Sequence, residues 1–128
     1  MKDNSIRIPK DMIAPVENYS TEDVARFMRK VADAMCNLFE KKDKAYGGSW
    51  QQRGILSAHL NLERKMDRVR AQFESGQIFD ENNVENIADT LIDNAVYSLM
   101  NLWYHGQKRD SVKSFVEEFY LEHRTPKE

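Results

Sequence analysis

Apolar residues recur every three to four positions along four segments of this chain, and no segment alternates with the two-residue period of a strand. The longest pattern begins after Ser20, with Asp23 at the capping-box position, and continues to about Ala45. Gly47 and Gly48 follow it and are expected to end this first helix. Its apolar stripe consists of Val24, Phe27, Met28, Val31, Met35, Leu38 and Phe39.

Two further apolar periods predict a second and a third helix. The second helix is expected from about Gly54 to Glu74, and the polar segment "ESGQIFDEN" separates it from the third. The third helix is expected to start at Asn82, which has an acid three residues later, and to continue to about His105. Gly106 is expected to stop it.

The last apolar period is short and predicts a fourth helix, capped by Asp110 or Ser111. Before Ser20 the chain contains two of its three prolines and no sustained period, which indicates an extended arm. The charged tail from His123 is expected to fray. The prediction is therefore an all-α, four-helix bundle-like fold, divided into an N-terminal arm 1–19, a single helical domain 20–123 and a frayed tail 124–128.

The composition of the 128 residues is that of one small soluble domain, with 41% hydrophobic and 31% charged residues. No apolar run reaches the roughly 18 residues of a membrane span. The N-terminus lacks the apolar centre of a signal peptide, and the single Cys36 allows no internal disulfide, so a cytoplasmic location is expected. The net charge of -2, with both signs mixed along the chain, disfavours a nucleic-acid binder.

The third helix places acids in line with its apolar residues. Glu85, Asp89 and Asp93 recur every four residues, so each lies about 40° from the next on a helical wheel. Val96 and Met100 fall on the same arc, so the sequence predicts that this acid stripe faces the core. A buried carboxylate needs a partner because desolvating its charge costs several kcal/mol. A cation is therefore expected against the stripe.

The second helix repeats the arrangement with Glu63 and Asp67, which fall inside a wide apolar arc. Two such acid pairs on facing helices would repel each other unless cations bound between them. Four carboxylates suit Mg²⁺, with Mn²⁺ also acceptable, whereas one cysteine and three scattered histidines do not suit zinc. The alternative is that the acids pair with arginines or lie at the open end of the bundle. Glu85 also has a simpler explanation, because acids are favoured in a first helical turn.

Three segments, "KKDKAYGGSW", "LERKMDRV" and "ENIADTLIDNAVYSLM", together resemble the phage and bacterial nucleotide-modification-associated domain of the MazG-like, all-α nucleotide pyrophosphohydrolases. The resemblance covers about residues 24–104. It implies Mg²⁺-dependent hydrolysis of a (deoxy)nucleoside triphosphate to a monophosphate and pyrophosphate. The acids that it marks as catalytic and metal-binding are Glu63, Asp67, Asp89 and Asp93, with Glu85 as a further metal ligand. It also implies a homo-dimer or tetramer.

The spacing of the acids departs from that family's pattern. MazG-like enzymes carry Glu-x-x-Glu on one helix and Glu-x-x-Asp on the next, whereas this chain has Glu63-x-x-x-Asp67 and places Asn86 three residues before Asp89. Either Glu85 or Asp93 would then replace the missing acid. Nucleotide housecleaning and the supply of a monophosphate for modified DNA both fit this reading.

The segment "KAYGGSW" is expected to contact the nucleotide. Its two glycines allow a ligand to approach the backbone, and its aromatic rings offer faces on which a base can stack. The predicted substrate-binding residues are Lys44, Tyr46, Trp50, Arg70, Asn94 and Tyr97. The ordinary alternative is that the glycines only end a helix and Trp50 only fills the core.

A second class of function is also compatible with this sequence. A phage-encoded helical adaptor or inhibitory binding module would keep the bundle without any chemistry. Its interaction surfaces would be the fourth helix and the N-terminal arm.

Overall fold

This computed structural model describes residues 7–126, which contain four α-helices and no strand. The helices are α1 Thr21–Tyr46, α2 Ile55–Glu74, α3 Val84–Lys108 and α4 Asp110–His123. Short 3-10 turns occupy Lys10–Met12, Ser49–Gln51, Gln77–Phe79 and Glu81–Asn83. The predicted all-α class is confirmed.

The two ends of α1 lie where the sequence places them. The Ser20 hydroxyl accepts a hydrogen bond from the backbone N–H of Asp23 at 3.2 Å, so Ser20 is the N-cap. Gly47 follows the last turn with φ 62°, a left-handed conformation that suits glycine, and its N–H donates to the Asp43 carbonyl at 2.7 Å.

The start of α3 differs from the prediction by two residues. Asn82 does not cap the helix, because it lies within the 3-10 turn Glu81–Asn83. Asp80 caps that turn instead, and its carboxylate accepts from the Asn82 N–H at 2.9 Å. The α-helix begins at Val84, after this extra turn.

Gly106 does not stop α3, which continues to Lys108. Gly106 is buried against α4, and a Cβ at this position would lie 3.7 Å from the Lys113 Cα. Gly106 is therefore an interior residue of α3 that lies against α4, and it does not end the helix. Arg109, with an extended backbone, separates α3 from α4 and is the N-cap of α4, so Asp110 is the first residue of that helix and neither it nor Ser111 is its cap.

The described part of the predicted N-terminal arm, residues 7–19, is exposed and contains the 3-10 turn Lys10–Met12. At the other end, α4 finishes at His123. The arm residues 1–6 and the tail residues 127–128 lie outside the described residues.

Helices α2 and α3 pack against each other through small and polar side chains. The buried residues of this seam are Ala58, Gln72, Thr90, Asn101 and Tyr104. The Gln72 side-chain amide donates to the Thr90 hydroxyl at 3.2 Å, and that of Asn101 donates to the Ala58 carbonyl at 3.0 Å. Because mostly small and polar side chains fill this seam, many large apolar side chains of residues 7–126 remain exposed. None of the described helices is long and apolar enough to cross a bilayer.

Candidate functional site

A cleft of about 260 Å³ lies between the C-terminal half of α1 and the middle of α3, beside the turn Ser49–Gln51. Four residues selected from the sequence line it: Tyr46, Trp50, Asp93 and Tyr97. Its other polar side chains are Lys42, Asp43, Ser49 and Lys65. The cleft thus combines aromatic rings, lysines and carboxylates within one depression.

The ion pair between Lys65 and Asp93 is the most enclosed charged contact among the described residues. Lys65 Nζ lies 3.3 Å from Asp93 Oδ2, and the two side chains are only 14% and 34% exposed. The same Nζ lies 5.4 Å from the centroid of the Tyr97 ring, within the range of a cation–π contact. The cation that the sequence predicts against the α3 acids is therefore, for Asp93, a lysine of α2.

Trp50 is held by two aromatic neighbours at one wall of the cleft. Its ring meets Trp103 and Tyr104 edge-on, with centroid distances of 6.2 and 6.4 Å. Trp50 also lines a second, larger cavity of about 570 Å³ between α1 and α3, which is mainly apolar. Lys44 borders this second cavity, where its Nζ lies 2.9 Å from Glu40.

Glu63 and Asp67 do not lie on a buried face of the chain, and that prediction is wrong. Their side chains are 51% and 61% exposed. Glu63 lies 3.7 Å from His59 Nε2, and Asp67 lies 3.8 Å from Arg70 Nη1. The reason is that α2 packs on α3 through the opposite arc of its surface, where Ala58 and Gln72 are buried.

The remaining predicted site residues also lie outside the cleft. Glu85 and Asp89 are exposed on α3. Asn94 is half-buried, and its side-chain oxygen is buried without a hydrogen-bond partner among residues 7–126. Arg70 is beside Asp67 on the outer face of α2.

Glu63, Asp67 and Asp93 each face a different basic side chain, so these acids do not converge on one point. Within residues 7–126, no three aspartate, glutamate, histidine or cysteine side chains are grouped closely enough to hold a metal ion together. In a single chain, the predicted four-carboxylate set therefore does not fit a shared Mg²⁺ site.

Sequence reasoning missed Lys65, Lys42 and Ser49. A signal for Lys65 was present, because small and polar residues recur at helical spacing along α2, at Ala58, Asn61, Lys65 and Gln72. A matching polar series occurs on α3, at Thr90, Asn94, Tyr97 and Asn101. Two polar stripes of the same period predict a polar seam, and Lys65 lies within it.

No protein-family model matches the sequence, and neither the curated proteins nor the solved structures contain a match for the chain.

Proposed function

We propose that the cleft binds a (deoxy)nucleoside triphosphate and that the chain hydrolyses it to a monophosphate and pyrophosphate. The observation that supports this proposal is the meeting of Tyr46, Trp50, Asp93 and Tyr97 at one cleft, since all four were selected from the sequence. The resemblance to MazG-like pyrophosphohydrolases supplies the reaction.

The side chains of the cleft divide into two kinds. Trp50 and Tyr46 offer aromatic faces on which a nucleobase stacks whatever its identity. Lys42 and Lys65 supply positive charge for phosphate oxygens. A nucleotide, which is an aromatic ring joined to an anion, matches this combination.

Asp93 is the predicted acid that lines the cleft, so we assign it the role of orienting the water that attacks the nucleotide. Its carboxylate accepts a hydrogen bond from a water and orients the oxygen towards the α-phosphorus. As the new P–O bond forms, the water gives one proton to the Asp93 carboxylate. The bond between the α-phosphorus and the oxygen that it shares with the β-phosphate then breaks, and pyrophosphate leaves with that oxygen. Lys65 holds the Asp93 carboxylate in place, because its Nζ lies 3.3 Å from Asp93 Oδ2. Mg²⁺ or Mn²⁺ remains an expectation of the resemblance, and no step is assigned to it.

Tryptophan fluorescence tests binding at the cleft. A non-hydrolysable nucleoside triphosphate is expected to quench the protein, and Trp50→Phe is expected to remove most of this response. Trp103→Phe is the matched control, because Trp103 contacts Trp50 but does not line the cleft. A response that survives in Trp50→Phe and disappears in Trp103→Phe would place the nucleotide elsewhere.

Pyrophosphate release tests the reaction. Asp93→Asn is expected to abolish release, whereas Asp33→Asn on the exposed side of α1 should leave it unchanged. Normal activity in Asp93→Asn would refute the assignment of that residue.

A helical adaptor or inhibitory binding module is the second candidate, because α4 leaves Phe115, Phe119 and Tyr120 exposed. Thermal denaturation separates the two functions. A nucleotide-binding chain gains stability when Mg²⁺ and a non-hydrolysable nucleotide are added, by about 2.7 kcal/mol at 100 times the dissociation constant. An adaptor gains none.

A further inference from the structure

The larger cavity between α1 and α3, of about 570 Å³, has no part in the proposed function. Its volume lies within the range of about 300–1,000 Å³ that is typical of small-molecule sites, and most of its lining is apolar or aromatic. It adjoins the cleft, and the two share a wall that includes Asp43 and Trp50. Leu99 and Trp103 line the larger cavity but not the cleft, so a ligand there has contacts of its own.

The lining of the larger cavity carries one negative charge that is not compensated. Its charged side chains are Glu40, Asp43 and Lys44. Lys44 Nζ lies 2.9 Å from Glu40 Oε1, so these two charges compensate each other. Asp43 is half-buried, and its carboxylate forms no hydrogen bond or ion pair with any other side chain of residues 7–126. A carboxylate that is partly withdrawn from water needs a partner, because desolvation disfavours its charge.

The aromatic part of the wall favours a positively charged ligand as well. Trp50 and Trp103 meet edge-on at an interplanar angle of 64°, so their rings form a corner and not a parallel stack. The face of an aromatic ring attracts cations, and that of tryptophan does so most strongly. A carboxylate and a tryptophan corner in one cavity therefore suit an ammonium group and disfavour an anion.

An organic cation fits this lining better than a metal ion does. Mg²⁺ and Ca²⁺ need several oxygen ligands, and within the described part of the chain no three acidic, histidine or cysteine side chains are close enough to hold a metal together. An ammonium group can instead be held by Asp43 alone. The apolar side chains around it, such as Met35 and Leu99, then cover an apolar body attached to the ammonium.

We propose that the larger cavity binds an organic ammonium ion with an apolar body. The ammonium group donates hydrogen bonds to the Asp43 carboxylate, and the apolar body packs against Phe39, Met100 and Trp103. This inference does not rest on the proposed function, because it requires no nucleotide in the cleft.

Titration with phenethylamine, which is protonated at neutral pH, tests the proposal. Trp50 and Trp103 are the two tryptophans of the chain and both line the larger cavity, so their fluorescence reports binding, and calorimetry measures it independently. Phenethyl alcohol has the same carbon skeleton without the charge and is the matched probe. The wild-type chain is expected to bind the amine about tenfold more tightly than the alcohol, because hydrogen bonds between two charged groups are stronger than neutral ones.

Removal of the Asp43 charge tests the role of that residue. Asp43→Asn is expected to weaken amine binding about tenfold and to leave alcohol binding unchanged, because only the amine uses the charge. Asp33→Asn, at an exposed position of α1 outside both linings, is the matched control and should keep the preference for the amine. Circular dichroism shows whether each variant keeps its helices.

Two bulky substitutions separate the larger cavity from the cleft. Cys36→Phe is expected to abolish amine binding, since Cys36 lines the larger cavity alone, whereas Ser49→Phe in the cleft should leave it unchanged. The proposal is overturned by a wild type that binds no amine or binds amine and alcohol equally, or by a preference that persists in Asp43→Asn. Amine binding that is lost in Ser49→Phe but kept in Cys36→Phe would also overturn it. Nucleotide turnover is measured separately, so the failure of one proposal is distinguishable from the failure of the other.

Discussion

Replacement of Lys65 by methionine is expected to destabilise the fold by about 1–3 kcal/mol. Methionine keeps most of the aliphatic length of lysine and removes the charge, so the change removes the ion pair with Asp93 and the cation–π contact with Tyr97. In the variant, the Asp93 carboxylate stays two-thirds covered, at 34% exposure, and loses the Nζ at 3.3 Å.

The geometry sets this magnitude. Two unit charges 3.3 Å apart attract by about 5 kcal/mol at an effective dielectric constant of 20, and by about 1.3 kcal/mol in water. The attraction is partly offset by the cost of desolvating both groups. Exposed pairs contribute at most about 1 kcal/mol, whereas breaking a buried pair costs about 3–5 kcal/mol. Because Asp93 is partly exposed and Lys65 nearly buried, the expected value lies between these limits. Loss of the contact with the Tyr97 ring adds about 0.5–1 kcal/mol.

Urea unfolding at one fixed protein concentration measures the effect. For a slope of about 1.5 kcal/mol per molar, a loss of 2 kcal/mol moves the midpoint down by about 1.3 M. Lys30→Met, at an exposed position of α1, is the control and should change stability by less than about 0.5 kcal/mol. Lys65→Met/Asp93→Asn should recover part of the loss, because no unpaired carboxylate remains. Equal midpoints for Lys65→Met and Lys30→Met would refute the view that this pair stabilises the cleft.

Three further substitutions test local features of the fold by thermal denaturation. Ser20→Ala should lower stability by about 1 kcal/mol because it removes the acceptor for the Asp23 N–H; no change would mean that Ser20 is not the cap. Gly54→Ala should cost about 1–3 kcal/mol, since φ is +61° there and the new Cβ would lie 2.9 Å from the Tyr104 hydroxyl; a neutral result would contradict this backbone conformation. Gly106→Ala should instead stabilise by about 0.4–1 kcal/mol, because this glycine is helical and an added Cβ meets α4 at ordinary contact distance; a loss above 1 kcal/mol would contradict that packing.

The sequence predicted the ends of α1 because local chemistry decides them. The Ser20 hydroxyl accepts a hydrogen bond from the backbone N–H of Asp23, only three residues later. Gly47 likewise adopts the left-handed conformation without contacts to distant residues. Gly106 shows the limit of this reasoning. It lies within α3, against Lys113 of α4, and a glycine that ends a helix looks the same in the sequence as one inside a helix.

The placement of the acids was harder to predict because a helical wheel gives relative angles and not the identity of the packed face. Apolar residues alone pointed to the wrong face of α2, so Glu63 and Asp67 were expected inside. The seam uses Ala58, Gln72 and Thr90 instead, which hydrophobicity does not mark. Asp93 was correctly expected to meet a cation, yet only the pairing of two helices identifies that cation as Lys65.

The most direct test of the proposed function is product analysis after a single nucleoside triphosphate at a time is incubated with the protein. Each member of a panel of ribo- and deoxynucleoside triphosphates is incubated once with Mg²⁺ and once with EDTA. The products of each reaction are identified by ³¹P NMR. We expect a monophosphate and pyrophosphate in equal amounts from one or more of these nucleotides when Mg²⁺ is present and EDTA is absent, and no products from Asp93→Asn. Release of single phosphate, or no turnover of any member by the folded protein, would contradict the proposed function.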